Sequence, residues 1–376
     1  MRVISFMNQK GGVGKTTTCV NLAAALAEMG ARVCLLDMDP QAHLTINYGV
    51  DVNTSNLTTL YDVLVGGAGF LDAVHTIDGN LAMVPGSIDL AAAEVELVST
   101  PGRETILRRK LEQALHDFDY VLMDCPPSLG LLTINALACS GEVFIPMQPH
   151  FLAMQGFAKL LDTVRLVGRQ INPRLRVTGV VLTMFDGQAK LSQEIVAELE
   201  GFVEQYRGKN VPWNDCRVFR TRVRRNIKLA ECPSYGQTIL QYDSSSNGAQ
   251  DYRSLAREVA TMRAVMPPIG KGLFAELAAA AAGEPATRTQ QISSPDTPSN
   301  AAKPNAADDS IAEPASDVGA ILQKALDESR AQSPTSSAPT RPAVSVTIAP
   351  GLASIVPSLV RGRSPGAAAS GNEVAR

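Results

Sequence analysis

The stretch NQKGGVGKTTT, residues 8–18, lies between two segments with different patterns. Residues 3–7 before it are an apolar run typical of a buried strand, and residues 19–30 after it have the spacing of a helix that ends at glycine. The glycines of the stretch let a ligand approach the backbone closely, and a helix N-terminus offers free N–H groups to an anion. Strand, glycine loop, Lys-Thr pair and helix in this order predict a phosphate-binding loop, the P-loop.

Each position of this loop has an expected role. We expect Lys15 to reach the β- and γ-phosphates of a nucleotide and Thr16 to ligate Mg²⁺. The first glycine of the usual spacing is replaced, and the loop carries an extra lysine, Lys10. The alternative is a glycine-rich turn that binds nothing, but the coincidence of all four features favours nucleotide binding. The expected nucleotide-binding residues are Gly11, Gly12, Val13, Gly14, Lys15, Thr16 and Thr17.

The composition limits the possible classes of protein. The 376 residues, 45% of them hydrophobic, suffice for one large domain or two small ones. The net charge of −3 gives no global basic character, so any DNA contact needs a local basic patch. The six cysteines form no Cys-x-x-Cys pair, and the four histidines share no metal-ligand spacing. No apolar run approaches the ~20 residues of a membrane span, and the chain starts directly in a strand, so we expect a cytoplasmic protein without a signal peptide or integral membrane segment.

Carboxylates end two further apolar runs. Asp37 and Asp39 follow the run that begins at residue 33, and Asp124 ends the run that begins at residue 120. In open α/β sheets, ligands bind at the carboxyl ends of the strands. We therefore expect Asp124 to hold Mg²⁺ through water, and a carboxylate of the 37–39 pair to position or deprotonate an attacking water. The alternative for the pair is a strand-end aspartate that caps the next helix.

The rest of the chain alternates in the same way up to about residue 266. A strand over residues 175–184 is predicted between helices over 152–169 and 190–206. This alternation predicts an α/β domain with a mostly parallel sheet that helices cover on both faces. Residues 267–376 are rich in proline, alanine and serine, which predicts a largely disordered C-terminal tail.

A basic run lies near the end of the predicted domain. It has no acidic residue between its members, which predicts a surface that grips phosphates without reading sequence and that salt weakens steeply. The alternative is an ordinary solvated face. The candidate DNA-binding residues are Arg217, Arg220, Arg222, Arg224, Arg225 and Lys228.

Residues 1 to about 266 resemble the ParA family of deviant Walker A partition ATPases, which belong with the MinD-like proteins to the P-loop NTPases. Five motifs carry the resemblance, in the order that the family has them. They are KGGVGKTT at 10–17, DMDPQ at 37–41, DCPPS at 124–128, TMFD at 183–186 and RNIKLAECPSYG at 225–236.

The resemblance implies an enzyme that hydrolyses ATP in the presence of Mg²⁺. It implies a homodimer that forms on ATP binding, in which Lys10 crosses the interface to the partner's phosphates, while Asp39 orients the hydrolytic water. It further implies that the ATP dimer binds DNA nonspecifically on the nucleoid and that a ParB-like partner stimulates slow hydrolysis. The expected function is chromosome or plasmid partitioning. The alternative is a MinD-like or orphan ParA-like ATPase that positions a non-DNA cargo, such as a membrane or polar assembly.

The chain departs from the family pattern at three places. Gln188 stands where the family often has an arginine, with Lys190 close by. The family's Ile-Pro-Arg-Asn is here Val-Arg-Arg-Asn, so that Arg224 replaces a proline near the expected adenine pocket. His150 stands where an acidic residue is usual after the strand that precedes it.

Overall fold

The structure is a computed structural model that describes residues 1–52, 57–112, 117–150 and 153–262. The predicted domain boundary at residue 266 and the predicted tail over 267–376 lie outside these residues. No helix of the described residues is long and apolar enough to cross a membrane.

Eight strands form a single sheet in the order β3-β4-β2-β5-β1-β6-β7-β8. All neighbouring strands are parallel except β3 and β4, which are antiparallel. This arrangement confirms the predicted mostly parallel sheet. The strands are β1 Arg2–Phe6, β2 Val33–Asp37, β3 His75–Asp78, β4 Leu81–Val84, β5 Tyr120–Asp124, β6 Glu142–Met147, β7 Arg176–Phe185 and β8 Arg217–Arg224.

Helices connect the parallel strands and cover both faces of the sheet. Several short ones are single turns, and the long ones are α1, α7, α8 and α11. The α-helices are α1 Lys15–Glu28, α2 His43–Asn47, α3 Leu60–Leu64, α4 Leu90–Glu96, α5 Ile106–Leu111, α6 Leu131–Cys139, α7 Ala153–Gln170, α8 Lys190–Tyr206, α9 Lys228–Glu231, α10 Ile239–Tyr242 and α11 Asn247–Thr261.

Successive residues of one strand pack on opposite faces of the sheet, as the period of a strand requires. Ile4 of β1 belongs to the core that α1 and α11 cover, whereas Val3 belongs to the core that α3 to α6 cover. Val143 of β6 packs into a third core under α7 and α8, whereas its neighbour Phe144 packs with α1 and α11. Burial on both faces explains why the central strands are apolar runs without alternation.

The long elements lie where the sequence predicts them, and the short ones at the sheet edges do not. Helices α7 and α8 and strand β7 agree with the predicted ranges to within one residue at each end. The sequence does not predict strand β3, and it predicts the basic run as a surface without identifying it as strand β8. Both missed strands are at the edges of the sheet, where the pattern is polar and short.

Two aromatic rings lie so close to Gly179 of β7 that they leave no room for a side chain at this position. A Cβ at this position would lie 2.3 Å from Cε2 of Phe219 and 3.2 Å from Cδ1 of Phe144. Both rings are fully buried and pack edge to face, with centroids 5.1 Å apart, so neither can withdraw easily. The glycine is therefore what allows β7 and β8 to share this aromatic core.

We expect Gly179→Ala to lower the free energy of unfolding by about 1–3 kcal/mol, the usual effect of overpacking a core. Gly201 is the matched control, because it is exposed in α8 and a Cβ there has nothing within 4 Å. Gly201→Ala should raise stability by up to about 1 kcal/mol through helix propensity. Urea denaturation of both variants tests this, and equal effects of the two changes would contradict the packing argument.

Candidate active site

The carboxyl ends of three neighbouring strands bring the motif residues together. Strand β5 lies between β2 and β1, and the pairing places Asp124 opposite both Asp37 and Phe6, the last residues of those strands. The P-loop follows Phe6 directly. The predicted nucleotide loop and the predicted carboxylates therefore meet at one edge of the sheet.

The P-loop ends in a residue with left-handed backbone. Gly14 has φ +83°, and α1 begins at the next residue, with no side chain capping its N-terminus. The first bond of the helix runs from the Thr18 amide to the Gly14 carbonyl, at 2.9 Å. The N–H groups of the first turn thus face an open end of the helix, where the dipole favours an anion.

Two other strand ends hold the loop in place. The Thr183 hydroxyl at the end of β7 donates to the Val13 carbonyl, at 2.8 Å. The Asn8 side chain donates to the Pro146 carbonyl at 2.8 Å and accepts from the Lys10 amide at 3.0 Å. The loop is therefore fixed from both sides before any ligand binds.

Thr16 and Asp124 are in direct contact. The Thr16 hydroxyl donates to Oδ2 of Asp124 at 2.6 Å, and Oδ1 is buried without a hydrogen-bond partner among the described residues. A buried carboxylate oxygen without a partner is costly unless another group completes the site. Within the described residues no three His, Cys, Asp or Glu side chains cluster as metal ligands. The pair suits a Mg²⁺ ion that takes most of its ligands from phosphates and water.

The charges around this pair are strongly perturbed. Burial, together with the nearby charge of Asp37, raises the pKa of Asp124 to about 8. Burial lowers the pKa of Lys15, against the attraction of Asp124 and Asp39. Because these charged groups are held out of water, they need partners of opposite charge. A polyanion would pair with Lys15, and a divalent cation would pair with Asp124.

The structure separates the two aspartates of the DMDPQ motif. Asp37 is fully buried, and its Oδ2 accepts from the Thr45 amide at 2.9 Å and the Thr45 hydroxyl at 2.7 Å. Its Oδ1 accepts from the Asp39 amide at 3.2 Å. The Gly86 amide donates to the Thr45 hydroxyl at 3.0 Å, which joins the loop to the end of β4. Asp37 therefore holds the backbone of Asp39.

Asp39 itself is half-buried, and its Oδ1 accepts from the Gln41 amide at 3.0 Å. The Asp39 side chain is thus partly accessible, whereas Asp37 is enclosed, and burial raises its pKa to about 6. The residue pattern named both aspartates without separating them, whereas the family resemblance assigned the water to Asp39; neither pointed to Thr45. The hydroxyl of Thr45 lies eight residues from Asp37, and no local pattern marks it.

Lys10 contacts a residue of its own chain. Its Nζ lies 2.6 Å from Nε2 of His150, which follows β6. Its carbonyl accepts from Nζ of Lys15, at 3.3 Å. The expected crossing of Lys10 to a second protomer would require its side chain to leave His150.

The basic run forms β8 and the turn after it, and half of its charges already have acidic partners. Arg222 pairs with Glu200 at 3.0 Å, Arg224 pairs with Asp251 at 2.7 Å, and Lys228 pairs with Asp243. Arg224, which replaces the family's proline, thereby ties the end of β8 to α11. The remaining members, Arg217, Arg220 and Arg225, are exposed and form no side-chain ion pair with the described residues.

These three arginines are not equivalent. Arg225 follows β8, and its amide donates to the Phe185 carbonyl at the end of β7, beside the loop that leads to Lys190. Arg217 and Arg220 instead line a cleft of about 650 Å³ that is also lined by acidic side chains. The acidic residues of this cleft are Glu200, Glu204, Asp215 and Glu258.

Comparison with known proteins gives consistent matches. A family model described as an AAA domain matches residues 1–177. The sporulation initiation inhibitor protein Soj of Bacillus subtilis is 45% identical over 260 residues, which are 69% of this chain and 98% of that protein. The chromosome partitioning protein ParA of Myxococcus xanthus is 42% identical over 260 residues, 69% of this chain and 87% of that protein.

Among solved structures, cobyrinic acid a,c-diamide synthase from Mycobacterium smegmatis with bound ADP and magnesium is similar to this chain. The two are 33% identical with a TM-score of 0.58, over 72% of this chain and 99% of that chain. The match confirms the P-loop NTPase fold.

The perturbed carboxylate predicts a pH dependence of stability. Because the pKa of Asp124 is raised in the folded state, folding takes up a proton between its unfolded value near 4 and about 8. The stability is therefore present at low pH and is lost as the pH rises towards 8. We expect the nucleotide-free protein to be less stable at pH 8.5 than at pH 6, and Asp124→Asn to lose less stability over this interval. Urea denaturation at both pH values checks this, and equal losses in the two proteins would contradict it.

Proposed function

The chain belongs to the ParA/Soj family of partitioning ATPases, and from this membership we propose that it is an ATP-driven dimerising switch that partitions chromosomal or plasmid DNA. The observation that carries the proposal is the contact of Thr16 with the buried Asp124. It lies beside Lys15, at the N-terminus of α1, which no side chain among the described residues caps. One oxygen of Asp124 has no hydrogen-bond partner among the described residues, so it can interact with a metal ion, while the loop amides can donate to the phosphates of a nucleotide.

The residues of the loop bind and orient the nucleotide. Lys15, held by burial and by the Lys10 carbonyl, faces the β- and γ-phosphates, and the amides of Gly11 to Thr17 surround them. Thr16 and Asp124 would hold Mg²⁺, which would neutralise the charge that develops on the phosphate oxygens. The anchors at Val13 and Asn8 keep the loop in the binding geometry without rearrangement.

Asp39 is the residue that we assign to the attacking water. Asp39 is half-buried, its charge acts on Lys15 of the loop, and Asp37 fixes its backbone through the amide. Hydrolysis is a transfer of the γ-phosphoryl group to that water, so positioning of the water is the main contribution that the protein can make. Lys10 of the second protomer completes the site by adding a positive charge to the phosphates, so that the ATP site is complete only in the dimer.

The ATP dimer then binds DNA through phosphate contacts. Arg225 is the best-placed candidate among the described basic residues, because it is exposed, forms no side-chain ion pair with those residues and follows β8, where its amide donates to the Phe185 carbonyl at the end of β7. A ParB-like protein stimulates hydrolysis and releases the dimer, and the protein is associated with the nucleoid in its ATP state. The 45% identity to Soj and the 42% identity to a chromosome partitioning ParA support this assignment of the cargo.

The roles of Lys15 and Asp39 predict different losses. We expect Lys15→Ala to lose binding of ATP, since the ammonium group faces the phosphates. Asp39→Ala should bind ATP and dimerise, while turnover falls by about 10²-fold or more, the usual contribution of a general base. Equilibrium binding of a fluorescent ATP analogue and release of phosphate with Mg²⁺ measure the two effects. Normal turnover by Asp39→Ala would remove this residue from the role assigned to it.

Substitution of two arginines of the basic run tests the proposed DNA contact. We expect Arg225→Ala to weaken ATP-dependent binding of nonspecific duplex DNA several-fold and to reduce the slope of log K against log salt by about 1. Arg222→Ala is the matched control, because its guanidinium is already held by Glu200. A salt series with ATP, with ADP and without nucleotide gives both quantities. If the dimer forms with ATP but ignores DNA, the cargo is not DNA, and the alternative of a positioning ATPase is favoured.

A further inference from the structure

The contact between Lys10 and His150 is a direct bond between the extra lysine and a titratable side chain. Nζ of Lys10 and Nε2 of His150 are 2.6 Å apart. An ammonium group has three donors and no acceptor, so His150 accepts at Nε2 and carries its proton on Nδ1. The contact therefore requires the neutral form of His150.

The lysine is otherwise free to move. Its side chain is exposed, whereas its amide is held by Asn8 and its carbonyl by Lys15. The backbone is thus fixed on both sides, and the side chain alone can change position. His150 is the side-chain partner that the structure gives it among the described residues.

We propose that His150 is a positioning residue that holds Lys10 on its own protomer and thereby opposes dimerisation, and that protonation of His150 releases the lysine. The proposal rests on the proposed role of Lys10 in the partner's site. A side chain cannot occupy both positions, so whatever stabilises the contact with His150 reduces the population of protomers that are ready to dimerise.

The charges near the contact support this assignment. Burial of the ring and the positive charge of Lys10 lower the pKa of His150 below its ordinary value near 6.5, so the ring is neutral at pH 7. The carboxylates of Asp39 and Asp124 act on Lys15 instead. Among the described residues, Lys10 is the charged group that acts on His150.

The direction of the pH effect follows from linkage. When Lys10 leaves for the partner's site, the pKa of His150 rises towards its ordinary value, so dimerisation takes up protons between the two values. The dimer is therefore favoured as the pH falls below about 6.5. Below the lowered pKa of His150 both states are protonated, and the effect saturates. An acidic residue at this position would hold the lysine but would not titrate in this range.

The test is the affinity of the dimer between pH 5.5 and 8, measured by sedimentation with Mg²⁺ and an ATP analogue that is not hydrolysed. We expect His150 to tighten the wild-type dimer as the pH falls below about 6.5 and to have no pH-dependent effect on it between pH 8 and that value. His150→Ala should be tighter at pH 7.5, by about threefold to tenfold, since one charge-assisted hydrogen bond is lost from the free protomer. His150→Gln keeps an acceptor that does not titrate, so it should stay as weak as the wild type at pH 7.5 and show a smaller pH response.

The matched control is His43→Gln. His43 is exposed and has no side-chain hydrogen bond among the described residues, so this variant should keep the wild-type profile. Asp37, Asp124 and the nucleotide phosphates also titrate in this range, but they do so in every variant, and only the difference between variants reports His150.

A second measurement follows the contact itself. The chain has four histidines, so ¹⁵N imidazole NMR can resolve the pKa and tautomer of His150. We expect Nδ1–H in the nucleotide-free protein and a higher pKa in Lys10→Ala, because the neighbouring charge is gone. An unchanged pKa in that variant, or identical pH profiles of wild type, His150→Ala and His150→Gln, would overturn the proposal. If the wild type forms no dimer with the ATP analogue at any pH, the proposed switch fails, and the role of His150 fails with it.

Discussion

Two carboxylates buried side by side are the constraint on which this site depends. The pairing of β2 with β5 places Asp37 directly opposite Asp124, at a point where neither is exposed to water. Asp37 is satisfied by the chain itself, since Thr45 and the Asp39 amide donate three hydrogen bonds to it. From the described residues, the Asp124 side chain receives one bond, from Thr16, and its other oxygen has no partner among them. This asymmetry makes Asp37 part of the scaffold and leaves Asp124 as the carboxylate that can accept a cation.

The parts that sequence predicts are those whose cause is local. A strand, a glycine turn and a helix within thirty residues are specified by neighbouring residues, so the pattern alone predicts the P-loop. The place of Asp124 at the end of a strand follows from the pattern in the same way. The contacts that refine the site join distant segments: Thr183 reaches Val13, and Thr45 joins Asp37 to Gly86. Hydroxyl side chains at such positions look like ordinary loop residues in the sequence, because only the folded sheet brings their partners within reach.

The basic run shows why counting charges along the chain is not enough. Six bases in twelve residues predict a strongly positive surface, but Glu200, Asp243 and Asp251 arrive from three other helices or turns to pair with half of them. The run also forms an edge strand, in which Phe219 and Val223 are buried, Val218 packs partly against the core, and the arginines are exposed or half-buried. The pattern of an exposed edge strand is dominated by polar residues, so its period is weak in the sequence. Charge density therefore has to be judged after the partners from other elements are known.

The site is built with charges that the protein does not fully compensate. Lys15 is buried with a lowered pKa, Asp124 is buried with a raised one, and the helix N-terminus beside them has no cap. Each of these features destabilises the free protein, and each is satisfied when a polyphosphate and a divalent cation occupy the loop. Ligand binding therefore stabilises the domain through the same groups that carry out its chemistry. Because those groups lie at the ends of β1 and β5, beside the end of β2, a bound ligand acts at the same edge of the sheet from which the Asp39 loop emerges. A site completed within the chain would be more stable, but it would gain no stability from the nucleotide.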